Sequence, residues 1–246
     1  YNYDSTSIDL ALEIVSVVMS SMSLIGNIGV LLTSTIFYQE MVKRKTFMQL
    51  LTAISAANLV TSVAGTFGFP TNGFTCSMQG FLWGFGSRLT WFFATTISFQ
   101  LYYYMKHARF LLSFRKVVAI CVLLDLALSC VPLAMNTFYG LPEISRGTSY
   151  CKLQEMSLHR SAAEWEKCPH CKLAMFISLF IPGIVCLIGM TVFSWLLRRM
   201  MQADADLLDQ EGRRHNSRIM RQVVVYPLGI VVFWTPILLY FMVQFS

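Results

Sequence analysis

Arg88 and Asp125 are the two charges that fall inside long apolar runs of this sequence. In lipid each is costly alone, and each must face a protein interior or a partner. Arg88 lies about 18 Å along a helix from Cys76, where its run begins. Asp125 lies about 12 Å from Val117, where the next run begins from the opposite side; in a core ~30 Å thick this is the same depth. Equal depth on consecutive helices predicts an ion pair. Such a pair either fixes helix packing or contacts a ligand and gates a conformational change. A second group, Cys168-Pro169-His170-Cys171 with His159 upstream, allows a loop disulfide, a zinc site, a thiol oxidoreductase or unpaired thiols. Four ligands so close together make a cramped tetrahedron, and no pocket for a redox partner is identifiable, so no metal and no cofactor is expected.

The elements that must position these residues are set by composition. Of 246 residues 55% are apolar and 13% charged, with 19 Phe, 14 Met and 10 Tyr. Mean hydropathy is +0.56. One soluble core of this size cannot bury so much apolar surface, and disordered chains are poor in aromatics. Six runs are long enough to cross a bilayer: 14–37, 47–69, 76–105, 117–135, 173–197 and 223–245. None alternates with period two, so no β-barrel is expected. No nucleotide loop, metalloprotease motif or nucleophile elbow is present, and an enzyme is not expected.

The net charge of +6 is unevenly placed. Lys43, Arg44 and Lys45 follow the first run; Lys106, Arg109, Arg115 and Lys116 follow the third. Arg198, Arg199, Arg213, Arg214, Arg218 and Arg221 follow the fifth. The positive-inside rule puts these linkers in the cytosol and the acidic N-terminus outside. The 136–172 linker is then extracellular, and Cys76, Cys151, Cys168 and Cys171 all fall on the oxidising side. Cys121, Cys130 and Cys186 lie within runs and read as core residues. The basic distribution serves orientation in a lipid bilayer, and no nucleic-acid partner is expected. No leader precedes the first run, and Ser246 stands one residue past the sixth, so further chain is expected at both ends.

The third run carries Cys76-x-x-Gln79-Gly80, then Gly86-Ser87, then Trp91. The sixth carries Tyr226-Pro227-Leu228 and Phe233-Trp234-Thr235-Pro236. Together with Gly26-Asn27, Asn58-Leu59 and Tyr150-Cys151, this order resembles the cAMP-receptor-like family of seven-helix G-protein-coupled receptors. That family includes the slime-mould cAMP receptors and related orphan receptors. The resemblance covers essentially the whole chain. It implies an all-α membrane protein: a G-protein-coupled-receptor-like helix bundle, a single domain over 1–246, with six transmembrane helices visible and a seventh beyond residue 246. It also implies a Cys76–Cys151 disulfide tethering the outer loop; two free thiols are the other reading.

The departures from the family are specific. Asn58 stands where most such receptors have an acid, the inner end of run three reads Gln100-Leu101-Tyr102 instead of Asp-Arg-Tyr, and run four lacks the family's tryptophan. The expected function is a plasma-membrane receptor that binds an extracellular ligand among helices 3, 5 and 6 and couples to a heterotrimeric G protein. Arg88, Trp91, Asp125, Trp234 and Pro236 are the candidates for ligand binding or gating. Pro236 permits a kink at Trp234, although an interfacial Trp would anchor the helix equally well. Lys43, Arg44, Lys106, Arg109, Arg218 and Arg221 are the candidates for facing the G protein; for the linker from Arg198 to Arg221, bases lying against anionic lipid are the other reading. The alternative function is a non-signalling structural subunit of a larger membrane-protein assembly.

Overall fold

A computed structural model describes residues 5–37, 46–66, 73–107, 109–134, 173, 176–205, 229, 231–232 and 235–236. These are nearly all helical: α1 (Ser5–Ile36), α2 (Thr46–Thr66), α3 (Gly73–His107), α4 (Phe114–Ala134), a π-helical turn at Phe176–Phe180, and α5 (Ile181–Ala205). Within these residues Val17–Ile36, Met48–Thr66 and Phe176–Met200 are long and apolar enough to cross a membrane. The chain is an all-α membrane protein. Four polar residues of α3 and α4, Gln79, Arg88, Gln100 and Asp125, are all buried.

Lipid as solvent explains the chemistry of the exposed faces. No residue of the Val17–Ile36 stretch is buried, and Val18, Met22, Ile25, Leu32 and Ile36 are well exposed. Where hydroxyls occur on such faces, they satisfy themselves on their own helix. Thr33 and Thr35 of α1 donate to the carbonyls of Gly29 and Leu31, and Thr191 of α5 to that of Leu187, each at 2.8 Å. With no water in the acyl region, that return bond replaces the one a solvated hydroxyl would make.

The chain divides into two compact units, residues 1–90 with 120–181, and residues 91–119 with 182–246. In the first, α1 and α2 run antiparallel, because Ser62 Oγ donates to Ser23 Oγ at 2.8 Å while Thr52 Oγ1 donates to Ser34 Oγ at 3.2 Å. The α2–α3 pair is likewise antiparallel: Gln79 Nε2 donates to the Ala64 carbonyl at 3.0 Å, and Thr90 Oγ1 to Asn58 Oδ1 at 2.8 Å. Between these two bonds Gly86 brings the backbones together. A Cβ there would lie 2.8 Å from both the Ala57 carbonyl oxygen and the Thr61 nitrogen, and would also meet Thr61 Oγ1.

In the second unit α3 and α5 run parallel. Thr95 Oγ1 reaches the Cys186 carbonyl at 3.4 Å, and further along both helices Phe99 and Tyr102 meet Phe193 with ring centroids 5.1 and 6.0 Å apart. A Cβ on Gly189 would lie 2.9 Å from the Thr95 methyl, so glycine permits this approach too. The turn from α3 to α4 is held from within. Gln100 is buried; its Nε2 donates to the Leu112 carbonyl at 3.2 Å and its Oε1 accepts from the Leu111 N–H at 3.1 Å. Ser113 then starts α4, its carbonyl accepting from Val117 N–H at 3.1 Å.

The π-turn has a local cause. Pro182 has no N–H to close an ordinary helical bond, and its ring crowds the carbonyl four residues back, so the turn before it widens. Ser178, Leu179 and Phe180 of this turn are buried.

Candidate functional site

The buried face of α4 is a stripe at four-residue spacing: Val117, Cys121, Asp125 and Ser129. That spacing keeps all four on one side of the helix. Arg88 of α3 reaches this stripe. Its Nε donates to Asp125 Oδ1 at 2.7 Å, and its Nη2 donates to Ser129 Oγ. Arg88 is 5% exposed, Asp125 0% and Ser129 2%, so the group is sealed from solvent and from lipid. Gly84, one turn before Arg88, leaves room for the guanidinium, since a Cβ there would lie 3.1 Å from Nη1.

The energetics of such a group are lopsided. Desolvating an arginine and a carboxylate costs several kcal/mol each by order of magnitude, roughly offset by their attraction and by the hydrogen bonds around them. Removing either partner leaves the other's cost uncompensated. Asp125 Oδ2 is buried and has no hydrogen-bond partner among the described residues, and the same holds for Ser178 Oγ in the π-turn.

The remaining candidates are distributed as follows. Trp91 and Ser87 are buried on α3, in a stretch from Gly86 to Ala94 where every residue is buried. Since this is more than two turns of helix, every direction around α3 is covered there. Gln79 is buried and bonded to α2, and Gly80 is half-buried. Lys106 and Arg109 are exposed at the end of α3 and in the turn after it, and Pro236 is helical and exposed. Lys43, Arg44, Cys151, Cys168, Cys171, Arg218, Arg221, Tyr226, Pro227 and Trp234 lie outside the described residues. The side chain of Cys76, in the first turn of α3, does so too.

One expectation needs correction. Of the three cysteines read as core residues, Cys121 and Cys186 are buried, but Cys130 is exposed. It follows Ser129 by one residue and is turned about 100° from the buried stripe, onto the side that faces outward. Three contributors escaped the sequence reading: Ser129, the Asn58–Thr90 bond and the Gln100 clamp. Only Ser129 had a local signal, its four-residue spacing from Asp125.

No protein-family model matches the chain, and no curated protein matches it.

Proposed function

We propose that the chain is a seven-helix receptor of the cAMP-receptor-like type, with its N-terminus outside the plasma membrane and a G protein as its cytosolic partner. The observation that carries this reading is α3, covered on every side from Gly86 to Ala94 and joined to α4 by the Arg88–Asp125 pair. A helix covered all round and charged within its apolar run is what a receptor needs to couple an outer site to an inner surface. The buried Asp125 Oδ2 and Ser178 Oγ, without a hydrogen-bond partner among the described residues, support a polar interior that an extracellular ligand with hydrogen-bonding groups completes once the sealed group opens. Asp125, Arg88 and Trp91 are the residues assigned to that site, and Trp234 and Pro236 to its coupling.

Gln100 favours a second reading, the structural subunit of a membrane assembly. It stands where receptors of the wider superfamily carry Asp-Arg-Tyr, and its amide is spent on the α3–α4 turn. Guanine-nucleotide exchange on a panel of Gα subunits, measured with the full chain in nanodiscs, separates the two. A receptor accelerates exchange on at least one Gα in the presence of ligand extracts. No acceleration, with stable co-purification of other membrane proteins, rejects the receptor reading in favour of the subunit.

A further inference from the structure

The parallel course of α3 and α5 in the second unit places their C-terminal ends on one side. From the Phe193 ring contacts, Lys106 is four residues further along α3 and Arg199 six further along α5, about 6 and 9 Å of rise. The α3–α4 turn lies at this same end. Between Trp91 and Ala119 there is no Asp or Glu, whereas Lys106, Arg109, Arg115 and Lys116 are all exposed.

This end is not simply a solvated basic surface. Phe110 and Leu111, at the tip of the turn, are 36% and 47% exposed, and the Phe110 ring stacks on Tyr104 at 4.8 Å. The Gln100 amide already satisfies the Leu111 N–H and the Leu112 carbonyl. That turn can therefore enter a medium poor in water without stranding those backbone groups. On α5, Ile188, Val192 and Trp195 form an exposed apolar stripe, with Trp195 at 52%. Arg199 continues the stripe, its guanidinium 4.6 Å from the Trp195 ring centre. A stripe that passes from aliphatic to indole to guanidinium follows the change from acyl chain to headgroup.

We propose that the α3–α4 turn and the end of α5 are a binding surface for anionic lipid headgroups. Phe110, Leu111 and Trp195 sit at the acyl boundary, and Arg109, Arg115, Lys116, Arg198 and Arg199 hold the phosphate and carboxylate oxygens. An acidic soluble partner would match the charge but would leave the apolar tip and stripe unused.

The test is native mass spectrometry of the full chain in mixed micelles with equal amounts of phosphatidylserine and phosphatidylcholine. The wild type should retain phosphatidylserine over phosphatidylcholine by about threefold or more. The Arg109→Gln/Arg115→Gln/Lys116→Gln variant and the Arg198→Gln/Arg199→Gln variant should each bring that ratio towards one. Phe110→Ser should lower total retained lipid. Free glycerophosphoserine should not displace the lipid, because it has no acyl chain to place beside the stripe. Equal retention of the two lipids by the wild type, an unchanged ratio in both variants, or displacement by the soluble headgroup each overturns the proposal. The wild-type ratio needs no variant to fold.

Discussion

Replacing Asp125 with alanine should cost about 3–5 kcal/mol of folding stability, because it strands the Arg88 guanidinium in a sealed interior. Arg88→Ala should cost less. A carboxylate left alone can be neutralised by one proton, while a guanidinium cannot. The charge-swapped variant Arg88→Asp/Asp125→Arg should lose less than Arg88→Asp and Asp125→Arg do in sum, a coupling of about 0.5–3 kcal/mol in that double-mutant cycle. Arg88→Met/Asp125→Leu should unfold within about 2 kcal/mol of wild type, since an apolar pair of similar volume carries no desolvation penalty. Thermal unfolding in detergent, with monodisperse yield as a second readout, measures each of these variants. If the two single substitutions are additive in the swap, the 2.7 Å contact contributes nothing to the fold.

Gly86→Ala is the second large effect. The added methyl would lie 2.8 Å from two backbone atoms of α2, the Ala57 oxygen and the Thr61 nitrogen, and neither can rotate away as a side chain could. Separating the helices enough to admit it strains the Thr90–Asn58 and Gln79–Ala64 bonds on either side. A loss of about 1–3 kcal/mol is expected, at the upper end because backbone must move. Gly26→Ala and Gly29→Ala are the controls. Nothing lies within 4 Å of a Cβ at either, so both should leave the unfolding midpoint unchanged or slightly raised through helix propensity. A Gly86→Ala midpoint equal to that of the controls contradicts the close α2–α3 approach.

How far the sequence exposes the structure depends on the kind of partner. Arg88 and Asp125 were legible because lipid makes unpaired charges costly, and equal depth left each one obvious neighbour. Cys130 was not, because apolar residues face both the bundle and the acyl chains, and hydropathy does not separate the two. Asn58 could be read as a departure from a receptor pattern, but its bond to Thr90 needs the α2–α3 register, which the Gly86 contact sets. Gln100 is the clearest case. Its partners are backbone atoms of Leu111 and Leu112, and no residue type at those positions announces the role. The π-turn had a signal in Pro182, which marks a break in bonding without saying whether the helix kinks or widens there.

The bonds of α1 to α2 and α2 to α3 reverse the chain at each step, and the α3–α5 ring contacts keep those two helices in the same sense. In a membrane this sets which ends share a face. Labelling with an impermeant maleimide, on intact cells and on inside-out vesicles, reads it directly through Ser5→Cys, Phe110→Cys and Arg199→Cys, each compared with the unsubstituted chain. A membrane-spanning bundle of this topology requires positions 110 and 199 to gain label from the same face and position 5 from the opposite one. Labelling of 110 and 199 from opposite faces, or of all three from one face, would contradict it.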